Sequence, residues 1–454
     1  MVEHQGLPIP QRYGAITAIA LGIMLSVLDG AIVNVALPSI AKDFHVSEAE
    51  SIWVINAFQL AIVISLLSLS YLGDRIGYKK VYQCGLLAFI FSSLVCALAS
   101  NLEVLVAGRM LQGFSSAAVM SVNTALVRQI YSPTHLGRGI AINSMVVALS
   151  AAAGPSIAAL ILSFASWHWL FLINLPIGII SVILAFQFLP SKTPKKVATS
   201  FDTPSAVLNG ITFALFFLAI SGVAHQYHWL LILTMLLACC VSGYFLVKRQ
   251  LGRHSPLLPV DLLRIPIFSI SLITSICAFT AQMATLVVLP FFLQNMLGYS
   301  VVKTGLLLTP WPIAVMCVAP LAGRLVERVH AGLLGLLGLS IFATGLAFLA
   351  LLPANPSNFD FIWRIALCGI GFALFQSPNN YTIISAAPVS RSGAASGMLG
   401  TARLTGQTMG ATLVAVFFNW SNTPVHTSVW LAFSLAVAGA AFSGLRMSQV
   451  QNRP

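Results

Sequence analysis

The chain has 454 residues, of which 58% are hydrophobic and only 7% charged, with a formal net charge of +12. An ordinary soluble domain carries roughly 25% charged residues, so water is excluded as the main solvent of this surface and a bilayer remains. The basic residues are scattered through short loops without a basic face or an aromatic-basic ladder, which argues against a nucleic-acid partner. Seven cysteines lie mostly inside apolar runs and show neither a disulfide framework nor zinc spacing.

A crossing helix needs about 20 mostly apolar residues to cover ~30 Å of hydrocarbon. Residues 1–12 lack the layout of a cleaved signal, so the first apolar run is expected to remain as the first span. In chain order, the predicted spans are 14–37, 51–72, 81–100, 104–127, 139–163 and 167–189, then 205–224 and 227–247. Six more follow at 267–294, 304–322, 331–352, 361–385, 393–418 and 425–445, a total of fourteen. Under this map most Lys and Arg, from Arg12 and Arg75 to Arg391 and Arg446, fall on one side, with Lys42, Lys303 and Arg364 opposite. Positive loops face the cytoplasm, so both termini are expected there, in a bacterial inner membrane.

An internal repeat is visible at offsets of 252–256 residues. Pro38 and Pro290 are expected to end the first helix of each half; Asp74-Arg75 and Glu327-Arg328 follow the second. Gly113 and Asn123 match Gly369 and Asn379, and Gly154 matches Gly410. The expected fold is all-α and membrane-integral: a six-helix bundle over 1–190, a linker with two extra spans over 191–260, and a second six-helix bundle over 261–454. KTPKK at 192–196 and KRQLGRH at 248–254 flank the insert.

Ionisable groups within the spans are few, and each is a functional candidate because an unpaired charge in hydrocarbon costs several kcal/mol. Asp29 lies in the first span, Arg109 in the fourth and Arg403 in the thirteenth. At 1.5 Å per residue, Asp29 sits about 13 Å and Arg109 about 10 Å from the same membrane face, depths that permit pairing or shared water. Such an arginine would tune how readily the acid takes a proton. Arg403 has no acid partner in view. Polar side chains on apolar helices are substrate-cavity candidates: Asn34, Asn56, Gln59, Gln112, Asn123, Gln282, Gln376 and Asn379, with Trp53 and Trp311 nearby. Each competes with a plain role in helix packing.

Gly73, Asp74, Arg75, Gly77 and Lys79 form an ordered loop between the second and third spans, with a second copy around Glu327 and Arg328; a cytoplasmic gate latch is expected. SAAAGPS at 150–156 places small residues four apart beside Pro155, favouring close helix approach and a bend at Gly154 and Pro155. His225 and His228 have no further metal ligand beside them, and no metal site is expected. No phosphate loop, nucleophile elbow or metal motif occurs, so neither ATP-driven pumping nor catalysis is expected.

LDGAIVNVALP at 28–38, WVINAFQL at 53–60, LGDRIGYKK at 72–80, GRMLQG at 108–113 and AGPS at 153–156 together resemble the major facilitator superfamily. More narrowly the chain is similar to the fourteen-helix drug:proton antiporters of the EmrB/QacA type. The resemblance implies that Asp29 is the first-helix acid, Arg109 the arginine tied to proton coupling, and Asp74, Arg75, Gly77 and Lys79 the gating motif. Ser70 and Tyr78 depart from that loop motif, and Ser150, Ala158 and Ala159 depart from the helix 5 antiporter motif. Ala281 and Gln282 stand where the repeat would place a partner of Asp29. The implied function is export of lipophilic, often cationic compounds, monovalent or neutral, driven by the proton gradient without a cofactor, by a protein working as a monomer. Cargo and proton are expected to compete within a midplane cavity. A dedicated metabolite exporter or a proton symporter of the same fold is the alternative.

Overall fold

The computed structural model describes residues 6–132, 136–190, 202–224, 226–251, 259–326, 328–353, 356–388 and 391–450, and the regular structure among them is helical throughout. The N-terminal half comprises α1 (Ile9–Asp43), α2 (Glu48–Ser51), α3 (Trp53–Ile76), α4 (Tyr78–Ala97), α5 (Leu102–Ile130), α6 (Leu136–Phe164), α7 (Trp169–Leu172) and α8 (Asn174–Phe188). The inserted pair is α9 (Thr203–Ala224) and α10 (Trp229–Gln250). The C-terminal half holds α11 (Pro266–Phe291), α12 (Val301–Leu308), α13 (Pro310–Leu325), α14 (Ala331–Ala350), α15 (Asn358–Ala386), α16 (Ser392–Trp420) and α17 (Pro424–Val450). Counting broken helices as one span, 13 among the described residues are long and apolar enough to cross a membrane. The fourteenth, α16, equals them in length, but Thr401, Arg403, Gln407, Thr408 and Thr412 lower its hydropathy.

Several boundaries differ from expectation. Pro38 does not end its helix, since α1 continues to Asp43; Pro290 is the penultimate residue of α11, which ends at Phe291 and passes into a π turn over Phe292–Met296. A proline inside a helix removes one backbone N–H donor without obliging the helix to end there. Three spans are interrupted at a single residue, Ile52, Ile173 and Thr309. Before the first break, Ser47 and Glu50 form a reciprocal capping box on α2. After the third, Pro310 occupies the first position of α13, where its missing N–H costs little.

The repeat is visible in matching packing. A Cβ on Gly113 would lie 2.3 Å from the Phe58 carbonyl oxygen and 2.7 Å from the Ala61 Cβ; on Gly369 it would meet Trp311 and Ala314 equivalently at 2.4 and 2.9 Å. Only glycine permits α5 to approach α3, and α15 to approach α13, this closely. Gly154 abuts Ala31 on α1 just as Gly410 abuts Thr280 on α11.

We call the end of the bundle holding residues 73–79 the basic end, and its opposite the far end. One apolar core spans both halves toward the far end, joining Val33, Leu37 and Ile55 to Val288, Leu293 and Phe361. Toward the basic end the core divides: Ile19, Tyr82, Val122 and Leu189 belong to one cluster, Phe268, Ile383 and Met398 to another. Hydrogen bonds between the halves join Gln294 Nε2 to the Val35 carbonyl at 3.0 Å and Ser156 to Thr309 at 2.8 Å, and Asn295 donates to Glu48. The inserted pair lies across the α3–α16 seam. Asn209 of α9 donates to the Ile64 carbonyl at 3.3 Å, while Asn419 of α16 donates to the Ala224 carbonyl at 2.6 Å.

Candidate functional site

Asp29, midway along α1, is completely buried, and its carboxylate points into the N-terminal bundle rather than toward the other half. Arg109 Nη1 pairs with Oδ2. Oδ1 accepts from Gln112 Nε2 at 2.9 Å and from Asn174 Nδ2 at 2.8 Å. Arg109 and Gln112 stand three residues apart on α5, a spacing that puts both side chains on one face. Gln112 also donates to Ser93 on α4 at 2.8 Å and accepts from Arg109 Nη1 at 2.7 Å. Arg109 Nε donates to the Val54 carbonyl at 3.0 Å, and its guanidinium lies 4.1 Å from the Phe58 ring centroid. The cluster therefore ties α1, α3, α4, α5 and α8 together through one acid.

Sequence reasoning pairs Asp29 with Arg109 and assigns Gln112 to a cavity; here Gln112 binds the acid directly. Asn174 is missing from the sequence-derived set. Its signal is an amide in the apolar run 169–186, beside Pro176, where an unpaired amide would be costly.

The other cavity candidates do not converge. A cavity of about 250 Å3 between α1 and α6 is lined by Ala20, Leu21, Met24, Leu28, Val146, Leu149, Ser150, Ala153 and Ile157. None of the expected polar residues lines it, and the Ser150 hydroxyl already donates to the Val146 carbonyl at 2.7 Å. Asn34, Asn56, Gln59 and Asn123 are buried, each with an oxygen lacking a hydrogen-bond partner among the described residues. Gln59 Nε2 lies 3.8 Å from Met283 Sδ across the halves. Trp53, Gln282 and Gln376 are half-buried. Trp311 packs in a ring cluster with Phe342 and Phe372. Asn379 binds Arg446, accepting from Nη1 at 2.6 Å and donating to Ser275 at 2.7 Å. Arg446, expected in a loop, is thus buried: α17 runs past it to Val450.

In the 73–79 segment, Gly77 with φ +102° joins α3 to α4, and a Cβ on Gly73 would meet Val122 at 2.6 Å. Tyr78 donates to Asp74 at 2.6 Å, and Lys79 donates to the Leu189 carbonyl at 2.8 Å beyond the end of α8. Arg75 and Arg328 are exposed, whereas Glu327 and His225 lie outside the described residues. Gly154 and Pro155 sit where α6 meets both α1 and α12; Gly305 of α12 packs on the Pro155 carbonyl. Among the described residues no group of three His, Cys, Asp or Glu could hold a metal ion.

The Major Facilitator Superfamily family model matches residues 19–411. The chain belongs to that superfamily. It is a multi-pass membrane transporter, not an enzyme. It is 58% identical to the "Uncharacterized transporter YebQ" of Escherichia coli across 100% of this chain and 99% of that protein. The riboflavin transporter RibZ of Clostridioides difficile is 28% identical, covering 93% of each. The multidrug resistance protein Stp of Mycobacterium tuberculosis is 30% identical over 90% of this chain and 76% of its own length.

Proposed function

We propose that this superfamily member is a proton-coupled exporter of lipophilic small molecules, working from the cytoplasm outward, and that Asp29 carries the proton. The observation behind this reading is the buried carboxylate held by Arg109, Gln112 and Asn174 within spanning helices. A buried ion pair is stable only while both charges stay satisfied. Arg109 keeps the Val54 carbonyl, Gln112 Oε1 and the Phe58 face as partners, so Asp29 can take a proton without leaving that cation bare. Protonation cancels the ion pair that locks α1 to α5. α1 also forms one wall of the apolar cavity through Leu28 and contacts the other half through Val35. Coupling then runs through the position of α1, and cargo need not touch the acid. This replaces direct competition at the carboxylate, because Asp29 is sealed from the cavity beside Leu28.

On this reading the Lys- and Arg-rich basic end faces the cytoplasm, as the positive-inside bias favours, and the undivided far-end core corresponds to closure toward the outside. The Gly77 hinge and the Tyr78–Asp74 bond then form a clip that holds α3 and α4 as the cytoplasmic side moves. The multidrug protein Stp supports a broad cargo range. The likeness to a riboflavin transporter favours the second reading, a dedicated metabolite carrier of the same mechanism. A dye-efflux and resistance screen in a pump-deleted host separates the two. Efflux of several unrelated lipophiles, lost on collapsing the proton gradient, supports the exporter; retention of every compound by cells expressing the protein contradicts it.

A further inference from the structure

The C-terminal half contains three acids, Asp261, Glu327 and Asp360; of the two described, Asp261 precedes the short turn Leu262–Arg264 and Asp360 lies in the first turn of α15. Asp261 pairs with Arg391 and Asp360 with Arg364. Arg403, by contrast, lies 11 residues into the 29-residue α16, about 16 Å from its start at 1.5 Å per residue. It is half-buried, its Nε is completely buried, and it has no hydrogen-bond or ion-pair partner among the described residues. Its direction follows from its neighbours on the helix. Three residues before it, Gly400 faces Leu66 on α3; three residues after it, Gly406 faces Ile276 and Phe279 on α11. At 100° per residue Arg403 is 60° from each, so it projects between the helix of one half and the helix of the other. Gln59 and Met283 meet across that same gap.

A guanidinium held there calls for an anion, and none of the described residues offers one: the mid-span acid Asp29 is sealed in the opposite bundle with its own arginine. We propose that Arg403 binds an acidic group on the cargo, which makes the transported class a lipophilic carboxylate rather than a lipophilic cation. This rests on the export reading and narrows its substrate. The planar fork of an arginine matches a carboxylate in two-point contact.

The test uses purified full-length protein and two fluorescent probes with the same apolar body, pyrenebutyrate and pyrenebutylamine, with N-phenylnaphthylamine as a neutral third. Binding is measured in detergent and uptake in energised everted vesicles. The wild type is expected to bind pyrenebutyrate at least tenfold more tightly than the amine. Arg403→Gln is expected to lose that preference while still moving the neutral probe, which shows it folded, and Arg403→Lys to keep part of it. Unchanged pyrenebutyrate binding by Arg403→Gln overturns the proposal. Competition by phosphatidylglycerol in an Arg403-dependent manner reassigns the site to a lipid headgroup and also overturns it. A wild type that moves the cationic probe in preference to pyrenebutyrate refutes only the carboxylate class. If the wild type moves none of the three, the export reading falls with it.

Discussion

At the scale of the residue, the Asp29 cluster behaves as a unit in which each member satisfies another. Removing one charge of a buried pair strands its partner and costs about 3–5 kcal/mol, whereas replacing both with apolar groups can be nearly neutral. Arg109→Leu should therefore lower the thermal stability of the solubilised protein strongly, and adding Asp29→Leu should restore much of it. Strict additivity of the two would contradict the ion pair. Asn174→Ala removes a hydrogen bond to a charged group, worth roughly 1.5–3 kcal/mol, and should destabilise to that extent in the same assay. The Asp29–Arg109 pair was legible in the sequence because each half-span held so few charges and their depths matched. Asn174 was not, since an amide in an apolar run serves equally for packing or for ligation until a partner is known. The seclusion of Asp29 was equally hidden: α1 is apolar all round, so no polar stripe marks which face meets the bundle and which meets the cavity.

At the scale of the element, close helix approach is what the glycines provide. Gly113→Leu and Gly369→Leu should each destabilise the folded protein, by at least the 1–3 kcal/mol typical of overpacking, and by similar amounts because the two sites meet equivalent atoms. A large effect at one and none at the other, in thermal unfolding, would contradict the repeat. The positions of these glycines were readable from the 256-residue offset alone. Helix ends were less so. Proline signals the loss of one hydrogen bond and not the end of a helix, which is why α1 passes Pro38; α17 likewise runs on past the end of its apolar run, so that Arg446 is carried inward instead of being released to a loop. The breaks at Ile52, Ile173 and Thr309 left no mark in hydropathy, because each is a local loss of the regular hydrogen-bond pattern at a residue that keeps helical dihedrals, within an unbroken apolar run.

At the scale of the whole molecule, two bundles share a core at the far end and hold separate clusters toward the basic end, where the α3–α16 seam still packs through Leu66 and Leu404, and α9 is bonded to both. The fourteen-span count and the inserted pair followed from apolar run lengths, while the placement of that pair on the α3–α16 seam depends on contacts that periodicity does not encode. Movement between the halves must work against Gly305 packed on Ala159 and Pro155. Gly305→Val is expected to hold α12 away from α6 and slow transport at least severalfold with the protein still inserted; wild-type rates would contradict that seam as a moving contact. The central claim is that proton exchange at Asp29 drives cargo movement. Its most direct measurement compares wild type and Asp29→Asn in proteoliposomes, once with an imposed pH gradient and once with cargo on both sides and no gradient. Asp29→Asn is expected to lose gradient-driven accumulation while cargo-for-cargo exchange survives. Full gradient-driven accumulation in that variant would contradict it.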